Sequence, residues 1–227
     1  MPSAMEPISF ESEGGLRLEG EIRRPDSDVR GSAVLCHPHP LYGGSKDHPL
    51  LWAIRAEMSR RGLAVLSFNF RGVMGSEGTH EGGVGELQDA RAAVTFALAC
   101  TGPPLLLVGW SFGANVALRE AVDDPRIDAL VLVAIPLAWD RRDQLPSLPS
   151  NDVLASFTRP VLLLAGDRDR FCPEGELRLL ARKLPDTRLF VAPGADHYFA
   201  KREREAATEI GAFAAERLPS ARPSADN

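Results

Sequence analysis

The segment Gly109-Trp110-Ser111-Phe112-Gly113 sets a serine between two glycines, directly after the apolar run Leu105 to Val108 and directly before a stretch with helical spacing, Ala114 to Val122. A serine held on a sharp strand-to-helix turn has its hydroxyl thrust into a cleft and its neighbouring amides gathered at a helix amino terminus. The same residues could be a helix cap between packing glycines, but the strand before and the helix after favour a nucleophile. A hydroxyl attacks poorly at neutral pH, so a base must stand within hydrogen-bond reach and a third group must orient that base. Later loops supply candidates for both. Gly166-Asp167-Arg168-Asp169-Arg170-Phe171-Cys172-Pro173 follows the apolar run Val161 to Ala165, and Gly194-Ala195-Asp196-His197 follows Leu189 to Val191. Of the five histidines, at 37, 39, 48, 80 and 197, only His197 lies in a late loop downstream of these aspartates. Asp167 and Asp169 both remain candidate acids on this reading, a turn aspartate such as Asp167 also being able to cap local amides.

Positioning these loops requires a particular set of elements. Alternation of Ile8, Phe10, Leu16 and Leu18 around Gly14-Gly15 predicts an antiparallel hairpin that ends at Pro25. Short apolar runs then recur at 33–36, 63–66, 105–108, 129–134, 161–164 and 189–191, which suits strands buried on both faces of a parallel sheet. Helical spacing occupies Leu50 to Arg61, Val84 to Ala99, Ser111 to Val122, Glu174 to Leu184 and Arg202 to Leu218. Strict alternation of the two predicts an α/β protein with a mostly parallel central sheet, helices on both faces, and a site at the carboxyl ends of the strands. Residues 1–218 are expected to form a single domain and Pro219 to Asn227 a frayed tail. The stretch from Pro136 to Pro160 is the one long irregular connection and leaves no room for a lid domain.

The 227 residues carry 26 Lys and Arg against 31 Asp and Glu, a net charge of −5 that offers no basic field for nucleic acid. Cys36, Cys100 and Cys172 are odd in number and widely spaced, which argues against disulfides and a zinc cluster. The longest apolar stretch, Ala129 to Trp139, is too short to span a bilayer, and the first residues lack the pattern of a signal peptide. The expectation is a cytoplasmic protein without a membrane partner; a homodimer stays open.

Other residues invite sharper readings that weaken on inspection. His37 and His39 could be a pair of metal ligands, but no carboxylate or further histidine stands at ligand spacing nearby. The glycines from Gly72 to Gly85 lack the fingerprint of a phosphate loop. Arg71 suits the anchoring of loops through carboxylates, His48 and His80 suit a polar surface, and Cys172 suits an inert thiol. Tyr42, Trp110, Phe171 and Tyr198 neighbour the candidate site and are assigned to a substrate pocket.

The order Ser, Asp, His, each after its own strand, resembles the α/β-hydrolase superfamily over Gly31 to Leu218. Cys36-His37-Pro38-His39-Pro40-Leu41-Tyr42-Gly43-Gly44, Phe68-Asn69-Phe70-Arg71-Gly72 and Gly85-Glu86-Leu87-Gln88-Asp89 are similar to a branch of small, lid-less hydrolases described as serine esterases. The resemblance implies an α/β-hydrolase fold with Ser111 as nucleophile, His197 as base and Asp169, three residues after the strand-closing glycine, as acid. It also implies an oxyanion hole made by the amide of Phe112 and one from the His37 to Gly44 loop. Pro38 and Pro40 have no N–H to give, which leaves His39, or Leu41, as the second donor. The implied reaction is hydrolysis of a small ester through an acyl-enzyme, with no cofactor and no metal. Thioesterases, amidases and peptidases would use the same residues, and a non-catalytic binding module on this fold is the alternative of another class.

Overall fold

Along Leu105 to Trp110 the side chains alternate between two buried clusters, Leu105 and Leu107 in one and Leu106, Val108 and Trp110 in the other. A strand that buries both faces needs a helical layer on each. The computed structural model, which describes residues 5–140 and 145–218, has this three-layer build; the expected tail at 219–227 lies outside the described residues.

Strands β1 (Met5–Glu11) and β2 (Arg17–Arg23) form the antiparallel hairpin, and β2 pairs antiparallel with β4 (Leu63–Phe68). The remaining strands, β3 (Gly31–Cys36), β5 (Leu105–Trp110), β6 (Ala129–Val133), β7 (Val161–Gly166) and β8 (Thr187–Ala192), run parallel to β4. The sheet order is β1-β2-β4-β3-β5-β6-β7-β8. After β3 the chain steps to one side, to β4, and later returns to the other side, to β5. Loops leaving β3 and β5 therefore diverge and open a crevice at the carboxyl ends of these strands.

Helices α1 (Pro49–Arg60) and α6 (Glu203–Arg217) pack on one face, through Leu50, Ile54, Met58, Ile210 and Phe213. On the other lie α2 (Val84–Thr101), α3 (Phe112–Asp123) and α5 (Glu174–Ala181). A single short helix, α4 (Asn151–Ser156), lies in the β6-to-β7 connection, so the described residues contain no lid domain. Two expectations need correction. Strand β8 is an edge strand with mostly half-buried residues rather than one buried on both faces, and α5 stops at Ala181, after which Leu184 is reached through a turn. Among the described residues no helix is long and apolar enough to cross a membrane.

Behind the sheet a buried polar cluster ties the first hairpin to α2. Arg71 donates to Asp89 from its backbone N–H (2.9 Å), Nε (3.1 and 3.2 Å) and Nη2 (2.8 Å), and Ser12 donates its hydroxyl to the same carboxylate (2.7 Å). The guanidinium is completed by Glu81 at 2.9 Å and Gln88 at 3.1 Å. Arg71 is thus the loop anchor its type suggests, and its donors are spent on protein partners.

Candidate active site

The turn after β5 places Ser111 at φ 56° and ψ −119°, a left-handed conformation that a non-glycine residue adopts only under constraint, at a cost of roughly 1–3 kcal/mol. Three bonds hold it there: its N–H donates to Val133 O at 2.9 Å, and its carbonyl accepts from Ala114 N at 2.9 Å and Asn115 N at 3.4 Å. The two glycines are required by space. A Cβ on Gly109 would stand 2.2 Å from Gly113 O, and one on Gly113 would stand 2.3 Å from Cys36 O. Helix α3 begins at Phe112, and the first amides of a helix lack intrahelical partners and point toward its amino terminus.

Loops after β7 and β8 bring the two other predicted side chains to this serine. Ser111 Oγ stands 2.9 Å from His197 Nε2, and His197 Nδ1 stands 2.8 Å from Asp169 Oδ2. A carboxylate oxygen only accepts, so Nδ1 carries the proton and Nε2 is left to accept from the serine hydroxyl. The other oxygen of Asp169 accepts from Phe171 N (2.8 Å) and Cys172 N (3.0 Å), which fixes the carboxylate plane. Asp167, the alternative acid, is exposed and turned away; its Oδ1 accepts from Gly194 N at 2.7 Å and so joins the acid loop to the base loop. Trp110 Nε1 donates to His197 O at 3.2 Å, and thus the strand that carries the serine also holds the base in place.

Around the loop after β3 the histidines divide their work. His37 is fully buried, its Nε2 accepting from Phe70 N at 3.0 Å and its Nδ1 facing Pro38 O at 2.6 Å. Burial, aided by neighbouring His39 and opposed by the Pro38 carbonyl, lowers its pKa from 6.5 to about 4. With both ring nitrogens committed to backbone it has no lone pair for a metal, and the described residues contain no group of three metal-binding side chains. His39 opens the short 3-10 turn Pro40–Tyr42, its Nδ1 accepting from Leu41 N at 3.2 Å. The Leu41 amide, the alternative second donor, thus faces this ring, and the side chain of Leu41 is exposed.

His48 and His80 are not the surface residues their loops suggest. His48 caps α1, its Nδ1 accepting from Leu50 N at 3.2 Å, and its ring lies 4.3 Å from that of Trp110. Burial lowers its pKa against the pull of Glu203. His80 Nδ1 stands 2.6 Å from the buried Glu86 carboxylate, and its ring packs on those of His39 (4.9 Å) and Phe112 (5.5 Å). The sequence signal for the first was present, a helix-starting proline directly after His48. Burial also raises the pKa of Cys172, with Asp169 adding to it, so this thiol stays protonated.

A cleft of about 270 Å³ opens over Ser111 and His197. Tyr42, Trp110, Phe171 and Tyr198 all line it, as do His48 and Trp139, which the sequence reading did not select. Trp139 comes from the irregular connection after β6, where no periodicity marks a side chain as facing a site. A larger groove of about 770 Å³ lies elsewhere, between α1 and α6 and without any of the triad residues.

The fold has counterparts among known proteins. A model of the alpha/beta hydrolase domain matches residues 32–217. An α/β serine hydrolase without a lid from Xanthomonas campestris superposes with a TM-score of 0.79 at 26% identity, covering 98% of this chain and 99% of that one. An α/β serine hydrolase homologue from Coxiella burnetii gives the same TM-score and identity, covering 94% and 97%. An uncharacterised protein of Rickettsia prowazekii is 29% identical over 218 residues, 92% of this chain and 88% of its own. With a family match spanning the whole parallel sheet and a fold shared from end to end with two such structures, the chain belongs to the α/β-hydrolase family.

Proposed function

We propose that the protein is a serine hydrolase that cleaves small carboxylic esters through an acyl-enzyme. The observation that carries this reading is the unbroken chain of hydrogen bonds from Asp169 through His197 to Ser111 Oγ, ending in the cleft. His197 Nε2 takes the hydroxyl proton as Ser111 Oγ bonds to the ester carbon, and the carbonyl oxygen becomes an oxyanion. The Phe112 amide at the start of α3, with that of His39 as second donor, is assigned the stabilisation of this charge. Collapse of the intermediate expels the alkoxide, which receives the proton from His197. Water, activated by the same imidazole, then releases the acid. Asp169 holds the imidazole in the required tautomer and stabilises its cationic form.

The size of the cleft favours compact acyl groups. An apolar cavity of about 150 Å³ holds one benzene ring, so about 270 Å³ takes a short acyl chain or a single ring but not a long lipid tail. The test is a fluorophosphonate probe with mass-spectrometric mapping, followed by turnover of p-nitrophenyl butyrate. Labelling at Ser111 and a fall in kcat of roughly 10⁶-fold in Ser111→Ala are expected, with the fold intact by circular dichroism. An unlabelled wild-type protein, or a mutant with undiminished turnover, refutes the reading.

A further inference from the structure

The rings at the cleft are arranged differently from those of the core. Phe68, Phe70, Phe112, Phe199 and Phe213 are fully buried, whereas Tyr42 is 53% and Tyr198 54% exposed, and Trp139 and Phe171 are half-buried. Open aromatic faces clustered beside a reactive centre are surface that a ligand would cover. They also form a continuous wall. Tyr42 meets Trp139 at 5.5 Å, Trp139 meets Phe171 at 5.0 Å, and Phe171 meets His197 at 4.9 Å, so the wall ends on the imidazole that holds Ser111. A second set also meets the cleft, Tyr198 at 5.5 Å from His197 and His48 against Trp110 at 4.3 Å. Among the described residues lining the cleft none is Asp, Glu, Lys or Arg.

We propose that the Tyr42–Trp139–Phe171 wall is a ring-binding subsite and that the preferred substrates are uncharged esters with an aromatic ring a few bonds from the scissile carbonyl. This rests on the ester-hydrolase reading and deepens it. A carbonyl carbon at Ser111 Oγ leaves a ring three or four bonds away alongside Phe171 and Trp139, in edge or offset contact with both. Wall spacings near 5 Å are those of aromatic rings in favourable edge and offset contact. Each such contact adds to what burial alone provides, and two together give about tenfold in selectivity. A saturated ring of the same size gains nothing from the quadrupole and, being the more apolar, would be preferred by a merely greasy cleft.

The test compares kcat/KM for methyl 3-phenylpropanoate with methyl 3-cyclohexylpropanoate, and for 2-phenylethyl acetate with 2-cyclohexylethyl acetate. In at least one pair the phenyl ester is expected to lead by about tenfold. That ratio should collapse toward one in Trp139→Leu and largely return in Trp139→Phe. Ratios near or below one in both wild-type pairs overturn the proposal, as does a tenfold preference that survives Trp139→Leu. Each preparation is also labelled with the fluorophosphonate probe. Full labelling with no phenyl preference sinks the subsite alone, whereas absence of labelling sinks the ester-hydrolase reading with it. Because each ratio is taken within one preparation, a partly folded variant does not blur the outcome.

Discussion

Two buried polar clusters of the molecule are built on opposite rules. In the Arg71–Asp89 cluster each group has several partners: Asp89 accepts from Ser12 and from three nitrogens of Arg71, whose guanidinium also reaches Glu81 and Gln88. The Asp169–His197–Ser111 row is single file, one bond between neighbours, and its last member faces the cleft. Redundant bonding leaves no group free to change partners, so the first cluster is architecture. A linear row with an open end lets its middle imidazole take a proton from the serine and give it up again, which is what the proposed acyl transfer requires. His37, saturated by backbone on both nitrogens, is a histidine of the first kind a few residues from the site of the second.

Substitutions should separate the two kinds. Among substitutions that leave the nucleophile in place, the largest effect is expected from Asp169→Asn, whose oxygen can keep the bonds from Phe171 and Cys172 while its amide group faces His197 Nδ1 and favours the wrong tautomer. A fall in kcat of roughly 10⁴-fold with an unchanged melting temperature is expected in a steady-state assay and thermal scan. Asp89→Ala should do the reverse: it strands the buried Arg71 and costs about 3–5 kcal/mol in urea unfolding, with kcat per folded molecule little altered. Loss of activity without loss of stability in Asp89→Ala would erase the distinction.

Acid is a gentler probe of the saturated class. His37 has a lower pKa folded than unfolded, so the unfolded chain binds the extra proton. Its contribution is therefore complete above pH 6.5 and is lost as pH falls from 6.5 to about 4, where the loss reaches roughly 3 kcal/mol. Denaturant midpoints at pH 7 and pH 4.5 measure it, and His37→Gln should flatten the slope. The smallest effect is expected at the exposed pair Arg178–Glu174 on α5, where Arg178→Ala should change stability by only about 0.3–0.5 kcal/mol.

The sheet was readable because its buried strands print as short apolar runs and its helices as periodic ones; Ser111 was readable because the turn that exposes it demands glycines at fixed offsets. Edge strand β8 has the same apolar lettering as its neighbours, so its exposure depends on the sheet order, which no local pattern encodes. The cleft was half legible. Tyr42, Phe171 and Tyr198 adjoin motif residues in sequence, whereas Trp139 and His48 reach the same space from loops that the chain visits at other times. Their meeting is a property of loop paths. Choosing Asp169 over Asp167 needed the resemblance, since both are turn aspartates and only the three-dimensional path turns one of them toward His197.

The placement of His197 has a consequence for how the protein comes into being. On one side of β3 the sheet is filled outward in chain order, β5, β6, β7 and β8, and the base stands on the loop after the edge strand β8, followed by α6, which returns across the face to pack on α1. A chain emerging from the ribosome carries Ser111 long before it carries His197, so the serine is at first an unactivated hydroxyl. The row closes only when β8 and α6, which flank His197, have docked. Under the proposed reaction, hydrolytic competence would thus await the docking of β8 and α6, and its onset would mark that step.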